Sequence, residues 1–331
     1  MQQLQILNQN KLLKQNINKV IFDFINTFNS TKTQKRYKTI LEEFFKYAKI
    51  INLEDLANIH ISSVRNLFED FKDLKTNYDS QKKIILNPSS LNNIAYIIRS
   101  FFNYLVDYYN YPKNPLSSYK PLKTKDYSST DSLNRWELLE ILKYAKMQYL
   151  AILIKSSSIK KQLSKLRNYL IFWLLALSLR REEIVNLKWD DLKENSYFLV
   201  YQKWWSYKYI PLPNWYLDFL LKYKEEKIAN NFLSSYIFSP FYNPYSNNID
   251  KPISADYIVQ ITQKICDKLQ INKKITPHSF RKTFIELSLN KNENYNNIMN
   301  ATGHKSPQMI KYYDYRDKIK NNSINLFSDL F

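Results

Sequence analysis

The amino-acid sequence predicts a mainly α-helical protein in two units, the second of which is mixed α/β because it holds a small β-hairpin or sheet. Apolar residues recur at helical spacing along most of the chain, while residues 117–132 form a Ser- and Lys-rich stretch without periodicity. Two short β-branched and aromatic runs, residues 197–202 and 207–212, flank a polar step and predict the hairpin. The 331 residues suffice for two domains of about 150 residues each.

The first unit, residues 16–116, is expected to be a helical bundle preceded by an N-terminal extension, residues 1–15. The pattern is clearest in residues 17–28, whose apolar positions are Ile17, Val20, Ile21, Phe24, Ile25 and Phe28. Further helices are expected at residues 35–48, 61–74 and 89–109. Together these segments predict an all-α unit of about four helices.

The second unit, residues 133–316, is expected to follow a linker at 117–132 and to pack helices around the hairpin. The expected helices are residues 133–150, 161–178, 214–229, 254–269, 278–289 and 305–314. A tail follows at residues 317–331, and its apolar residues are Ile324, Leu326, Phe327, Leu330 and Phe331. Because this tail is too short to build a core, we expect it to pack on its own domain or on a neighbouring protomer.

The charge of the chain indicates a polyanionic partner. The 49 Lys and Arg residues against 30 Asp and Glu give a formal charge of +19. The surplus is shared, because the chain up to Lys125 has 19 basic against 10 acidic residues and the remainder has 30 against 20. Both halves are therefore expected to contact the same polyanion, and nucleic acid is the first partner to test.

The rare residues exclude several classes of protein. With Gly303 as its one glycine, the chain cannot contain a dinucleotide-binding G-x-G-x-x-G motif or a Walker A loop. With Cys266 as its one cysteine, it can form neither an intrachain disulfide nor a Cys-based zinc finger. The longest apolar run, about residues 169–179, is shorter than the ~20 residues of a membrane span, and the start does not resemble a signal peptide. We therefore expect a soluble intracellular protein.

The second unit contains the groups of a phosphoryl-transfer site without metal. Clustered carboxylates at metal-ligand spacing are missing from the sequence, so Arg, His, Lys and a side-chain nucleophile are the alternative. His278 and Arg281 are spaced i to i+3, which places both on one helical face. Taken alone, this pair is better explained as a solvated histidine and a surface arginine. A second histidine, His304, follows Gly303, and a glycine kept in such a chain indicates a backbone with positive φ or a close approach.

Four motifs in the second unit resemble, in residues and order, those of the tyrosine site-specific recombinases, also called the phage-integrase or Xer-type family. The first is S-L-R-R-E-E-I-V-N-L-K-W-D-D at residues 178–191, which matches G-L-R-x-x-E-x-x-x-L-x-W-x-D with Ser178 in place of glycine. The second is the H-x-x-R box at residues 278–281. The third is Thr302-Gly303-His304, followed nine residues after the histidine by Tyr313.

The fourth motif is the hairpin lysine, which in this family lies eight residues before the proline of a V-P or I-P step. Lys203 has this spacing from Pro211, while Lys208 on the other arm is the alternative. Tyr312 and Tyr315 are alternatives to Tyr313, which the nine-residue offset favours. The first unit resembles the family's helical core-binding domain more loosely. The resemblance covers about residues 16–316 and implies a C-terminal mixed α/β catalytic domain.

The resemblance implies a role for each of these residues. Tyr313 would attack the scissile phosphate and give a 3′-phosphotyrosyl enzyme with a free 5′-hydroxyl, without metal, cofactor or ATP. Arg180 and Arg281 would hold the non-bridging oxygens, as the planar guanidinium is suited to do. His278 and His304 would bind the same phosphate or assist proton transfer. Lys203 would protonate the leaving oxygen, and Glu183 would be the accessory acid that orients its neighbours.

The same resemblance implies a site-specific DNA recombinase that works as a homotetramer on paired sites, or with a related second recombinase. Two alternatives share its chemistry, a hairpin telomere resolvase and a type IB topoisomerase. A third alternative, from another class of protein, is a DNA-binding maintenance protein that has lost catalytic activity. We expect a cytoplasmic, nucleoid-associated protein, and the A/T-rich codon bias that the composition indicates also fits an organelle.

Overall fold

The computed structural model describes residues 15–77, 86–123, 130–156, 158–194, 196–202, 206–241 and 250–314. Lys203, the tail and all of the N-terminal extension except Gln15 lie outside these residues. The chain divides into two compact units, residues 1–127 and 128–331. The finer domain boundaries, with their linker at 117–132, stay a prediction.

The described part of the first unit is helical, as expected. Its helices are α1 (Ile17–Ile25), α2 (Thr31–Tyr47), α3 (Leu53–Ala57), α4 (Ile61–Asn77) and α5 (Pro88–Tyr109). Aromatic rings join them: Phe101 meets both Phe24 and Phe45 edge to face, with ring centroids 5.3 Å apart in each pair. Helix α3 was not expected from the sequence because five residues are too few to show a helical period.

The second unit surrounds a three-stranded sheet with helices. Its helices are α6 (Arg135–Lys155), α7 (Ile159–Ala176), α8 (Arg181–Asn186), α9 (Asn214–Ala229), α10 (Ala255–Lys268), α11 (Pro277–Asn290), α12 (Tyr295–Thr302) and α13 (Pro307–Lys311), with a 3₁₀ turn at Trp189–Asp191. Its strands are β1 (Leu192–Lys193), β2 (Tyr197–Gln202) and β3 (Ser206–Pro211). None of the described helices is long and apolar enough to cross a membrane.

The sheet is antiparallel in the order β1-β2-β3. Its register pairs Phe198 with Ile210 and Val200 with Lys208, and all four side chains are buried on one face. Lys208 is thus a lysine on the core face of a hairpin. Such a position requires an internal partner for the charge, because burying an unpaired ammonium is costly.

The end of the second unit differs from the expected helix 305–314. Helix α13 stops at Lys311. The N–H of Tyr312 still donates to the carbonyl oxygen of Gln308 four residues earlier, whereas those of Tyr313 and Asp314 donate three residues back, to Ile310 and Lys311, in tighter bonds. Tyr313 therefore lies in a turn after the helix and not on it. The segment is anchored in a small core of its own, whose buried members are Ile285, Leu289, Ile298 and Ile310.

Candidate active site

Arg180 lies at a junction between two helices, as its sequence context indicates. Helix α7 ends at Ala176, and Arg180 is the N-cap residue of α8. The chain turns at Ser178, whose φ of +71° is in the left-handed region. That region favours glycine because a Cβ crowds the backbone there. Ser178 therefore occupies a turn conformation that suits the glycine of the family's motif.

Arg281 is buried in helix α11, with 2% of its surface exposed. Its Nη1 donates to the carbonyl oxygen of Ser178 at 3.0 Å, and its Nη2 lies 3.3 Å from Nε2 of His304. Its Nε is also buried and has no acceptor among the residues that the structure describes. A buried guanidinium with a spare donor is a group that an anion can satisfy. The alternative of a surface arginine is wrong for this residue.

Three other charged or titratable groups of the site influence the pKa of Arg281. Burial is the main reason that the pKa of Arg281 falls to about 10, and the positive charge of Arg180 contributes to the fall. Glu183 and Tyr313 act in the opposite direction. Tyr313, the expected nucleophile, is thus near enough to the buried guanidinium to affect its charge.

Glu183 bridges Arg180 and Lys208. Its Oε1 accepts from Nη1 of Arg180 at 2.7 Å, while its Oε2 accepts from the Arg180 backbone N–H at 2.8 Å and meets Nζ of Lys208 at 2.8 Å. Burial alone would raise the pKa of Glu183, but the ion pair with Lys208 and the bonds from Lys208 and Arg180 outweigh it and lower this pKa. Glu183 is therefore held as a carboxylate between two cations.

His304 follows a glycine whose conformation explains its retention. Gly303 has φ +71°, and a Cβ at this position would overlap the side chain of Gln202 at the end of β2. The positive φ expected for this glycine is confirmed, whereas the close approach is to the end of a flexible side chain that can shift. The turn aims His304 into the site, where its Nδ1 lies 2.8 Å from the hydroxyl of Thr302.

The histidines face a positive environment. Burial, followed by the charges of Arg281 and Arg180, lowers the pKa of His304 to about 3, so its ring is neutral at physiological pH. His278 is exposed near the start of α11, and its pKa is lowered by partial desolvation and by the same two arginines. A phosphate among these cations would reverse their effect and raise both pKa values.

Tyr313 is partly buried and is followed by a buried carboxylate. Asp314 is 5% exposed, and its Oδ2 accepts a hydrogen bond of 2.8 Å from the hydroxyl of Tyr295 at the start of α12. The ring of Tyr313 packs against the small core that holds α13, with Tyr312 edge to face at a centroid distance of 5.3 Å. The segment of Tyr313 is thus held on both sides of the phenol.

The charges of the site favour an anion. Arg180, Arg281 and Lys208 are three cations and Glu183 is one carboxylate, which together give +2 in the described part of the cluster. No group of three or more His, Cys, Asp or Glu side chains able to hold a metal ion occurs within the described ranges. The arrangement is suited to gripping a phosphodiester through guanidinium and imidazole groups.

The structure brings six of the seven candidate residues into mutual influence, while Lys203 lies outside the described residues. The six are Arg180, Glu183, His278, Arg281, His304 and Tyr313. Their catalytic roles, like that of Lys203, stay predictions. Lys208, the alternative hairpin lysine, contacts the site through Glu183. The contact between Tyr295 and Asp314 has no signal in the sequence, because neither residue belongs to a motif.

Tyr295→Phe is expected to slow DNA cleavage while leaving DNA affinity unchanged. The substitution removes only the hydroxyl that holds the buried Asp314 carboxylate, which costs about 1–3 kcal/mol and loosens the turn that carries Tyr313. Single-turnover cleavage of a nicked substrate and a binding assay measure the two quantities. Asp314→Asn is the control, because its amide oxygen still accepts the Tyr295 bond. Cleavage by Tyr295→Phe at the wild-type rate would contradict this positioning.

Comparison with known proteins agrees with the geometry. Residues 141–319, more than half of the chain, match the sequence profile of the phage integrase family. The chain is 24% identical over 237 residues to a tyrosine recombinase XerC from Pediococcus pentosaceus, covering 71% of this chain and 74% of the relative. It is 26% identical over 266 residues to a tyrosine recombinase from Pseudothermotoga lettingae, covering 80% and 79%.

Solved structures share the fold. A XerH site-specific recombinase bound to palindromic difH in a post-cleavage complex superposes with a TM-score of 0.61 at 20% identity, covering 88% of this chain and 79% of that one. A lambda integrase dimer bound to a COC′ core site gives 0.61 at 16% identity, covering 94% and 81%. With its family profile spanning the whole described cluster, this chain belongs to the phage integrase family of tyrosine recombinases, enzymes that cleave and rejoin DNA.

Proposed function

We propose that Tyr313 is the nucleophile of this recombinase and that the cluster around Arg281 holds the scissile phosphate. The observation that carries the proposal is the Arg281 guanidinium, which is buried, lies within electrostatic reach of Arg180 and Tyr313, and retains an Nε donor without an acceptor in the described residues. A non-bridging phosphate oxygen is an acceptor of the right kind, and its negative charge suits the net positive site.

The reaction exchanges one phosphodiester for another. The phenolic oxygen of Tyr313 forms a bond to phosphorus, the bond from phosphorus to the 5′ oxygen breaks, and a 3′-phosphotyrosyl enzyme with a free 5′-hydroxyl results. Arg180 and Arg281 stabilise the charge that builds on the non-bridging oxygens. His278 and His304 bind that phosphate or move the phenolic proton, and Lys203 protonates the leaving 5′ oxygen. Attack by that hydroxyl on the phosphotyrosine reverses each step and rejoins the strand.

Double-stranded DNA is the proposed substrate. The XerH and lambda integrase structures that share the fold contain their DNA sites, which supports a DNA partner for this chain. The basic surplus in both halves of the sequence supports it independently. We propose that the protein is located with its DNA, at a nucleoid or in an organelle. The A/T-rich codon bias fits an organelle as well.

The proposal is tested by trapping the covalent protein–DNA intermediate on a nicked duplex, whose sequence is taken from the DNA that flanks the gene. EDTA is present to remove metal ions. A 3′-linked adduct supports it, and no adduct on any such site would contradict it and favour a DNA-binding maintenance protein. The products separate the remaining alternatives. Exchange between two sites identifies a recombinase, hairpin ends identify a telomere resolvase, and relaxation of supercoils without site preference identifies a type IB topoisomerase.

DNA binding is expected to weaken steeply as salt rises, because both basic halves contribute phosphate contacts. A protein that neutralises about six or more phosphates loses about 10³-fold or more in affinity between ~50 and ~200 mM salt. Fluorescence anisotropy with a labelled half-site measures the slope, and a scrambled duplex serves as the control. An affinity that hardly changes over this range would contradict a binding mode based on phosphate contacts.

The assembly we propose is a tetramer on two paired sites, with the tail at residues 317–331 docking on a neighbouring protomer. This follows the family resemblance and the apolar composition of the tail. Deleting residues 323–331 is then expected to preserve binding of one half-site but to reduce synaptic complexes and recombination. Native gels and light scattering measure assembly on DNA. Undiminished tetramers and normal recombination by the truncated protein would show that the tail packs on its own domain.

A further inference from the structure

Lys208 is a buried lysine on the core face of the hairpin, where apolar side chains are usual. It lies on the core face of β3 opposite Val200, is 3% exposed, and has apolar neighbours on the same face in Phe198 and Ile210. Among the described residues its Nζ meets one carboxylate, that of Glu183 at 2.8 Å, and no second acceptor. A structural role alone explains this lysine poorly. An apolar residue would pack on the same face without the free-energy cost of burying a charge that has one partner.

The position of Lys208 connects the sheet with Arg180. The Oε2 of Glu183 pairs with Nζ of Lys208 and accepts from the backbone N–H of Arg180. Its Oε1 accepts from the Arg180 guanidinium at 2.7 Å. The Arg180 side chain is 40% exposed, so this single ion pair is what limits the freedom of a long side chain. The ammonium of Lys208 fixes the carboxylate from the other side.

The charge of Lys208 matters as much as its position. Without it, Arg180 and Glu183 would form a neutral pair, and Arg180 would attract a phosphate less strongly. With it, the group of three carries +1 beside the +1 of Arg281. A second cation on the carboxylate therefore leaves the Arg180 charge available to an anion.

We propose that Lys208 is a positioning residue of DNA cleavage, which fixes the Glu183 carboxylate and through it orients the Arg180 guanidinium on the scissile phosphate. The inference rests on the proposed function, since it needs a phosphate at Arg180. In this proposal Lys208 acts through Glu183 and not on the phosphate, which distinguishes it from the leaving-group acid assigned to Lys203.

The environment of Lys208 makes its action dependent on pH. Burial is the main reason that the pKa of Lys208 falls to about 8; Glu183 opposes the fall, and the charges of Arg281 and Arg180 contribute to it. The groups that face it are Glu183 and Arg180 of the α8 region, Arg281 of α11 and His304 after α12. Above this pKa the ammonium loses its proton, and Glu183 is left with Arg180 alone. Cleavage should therefore decline on the alkaline side.

The test measures single-turnover cleavage of a nicked duplex at saturating enzyme, from pH about 6 to about 9.5, for Lys208→Met and Lys208→Arg. Lys208→Met is expected to cleave about 10 to 100 times more slowly than wild type at neutral pH, with DNA affinity unchanged. Lys208→Arg keeps a cation that does not titrate in this range. It is expected to recover most of the rate and to move the alkaline decline to higher pH.

Lys227→Met is the matched control. Lys227 is the other buried lysine in the described part of this unit. Burial lowers its pKa to about 8 as well, but its Nζ donates to the carbonyls of Tyr236 and Ile237 and to Ser239. This variant is expected to unfold more easily yet to keep the wild-type rate and pH profile, measured below its melting temperature.

The outcomes are distinguishable. Suppose that the wild type cleaves through Tyr313 and that Lys208→Met cleaves as fast as the wild type or as Lys227→Met. The role of Lys208 is then overturned while the proposed function stands. An unchanged alkaline decline in Lys208→Arg overturns it as well, and this variant keeps the test valid should Lys208→Met fail to fold. If wild type forms no adduct at all, both proposals fall.

Discussion

Tyr313→Phe is expected to abolish the covalent DNA adduct, with a loss of cleavage rate of at least about 10⁴-fold, and to leave DNA affinity nearly unchanged. In the proposed mechanism the phenolic oxygen of Tyr313 forms the bond to phosphorus, and phenylalanine removes that oxygen alone. Affinity survives because it comes mainly from phosphate contacts across the protein. The ring's packing against the small core around Ile310 also survives, so the variant should fold.

The measurement is adduct formation on a nicked duplex, followed by peptide mapping of the DNA-linked residue. Tyr312→Phe is the matched control, since Tyr312 is the adjacent phenol and is 39% exposed, and it should form the adduct normally. Tyr315→Phe extends the comparison to the third tyrosine of the segment. Recovery of the adduct on Tyr312 or Tyr315 would overturn the assignment of the nucleophile.

The sequence allowed the site to be predicted because most of its parts are local. His278 and Arg281 lie one turn apart on α11, and Gly303 sets the turn before His304 whatever the rest of the fold does. Each motif thus determines its own geometry. What the motifs do not contain is the distance between Arg281 and Ser178, which depends on how α11 packs beside the junction of α7 and α8.

The contacts that the sequence did not reveal join separate elements. Lys208 had been an alternative to Lys203 by its position on the hairpin, but its contact with Glu183 depends on which hairpin face packs inward. The strand pattern alone leaves that face undetermined when a lysine stands among apolar residues. The hydrogen bond from Tyr295 to Asp314 likewise connects two segments, and only their packing brings these residues together.

Helix prediction succeeded where the apolar period was strong and failed where it was weak. The bounds 214–229 match α9. Helix α12 was not expected because YNNIMNAT contains few apolar residues, and β1 was not expected because a pair of residues shows no alternation. Tyr313 was expected on a helix, but α13 ends two residues earlier, so the nucleophile's segment is set by its anchors and not by helical periodicity.

Arg281→Lys is expected to reduce DNA cleavage by about 10²-fold or more, the second largest effect of a single substitution. The guanidinium makes three uses of its planar fork. Nη1 donates to Ser178, Nη2 faces His304, and the buried Nε has no acceptor among the described residues, so we propose that it binds the phosphate. Lysine keeps the charge but offers one nitrogen, so it cannot hold the Ser178 carbonyl and a phosphate oxygen in the same geometry.

Arg167→Lys is the matched control for that substitution. Arg167 is also buried in the second unit, at 6% exposure, and its fork donates to the Ser239 carbonyl and the Tyr257 hydroxyl at 2.8 and 3.0 Å. Both variants lose a buried fork and should lower the melting temperature. Only Arg281→Lys should lower the single-turnover rate at saturating DNA, because in the proposed mechanism Arg281 holds the phosphate and Arg167 does not. Equal losses of rate in the two variants would mean that Arg281 acts through stability and not on the phosphate.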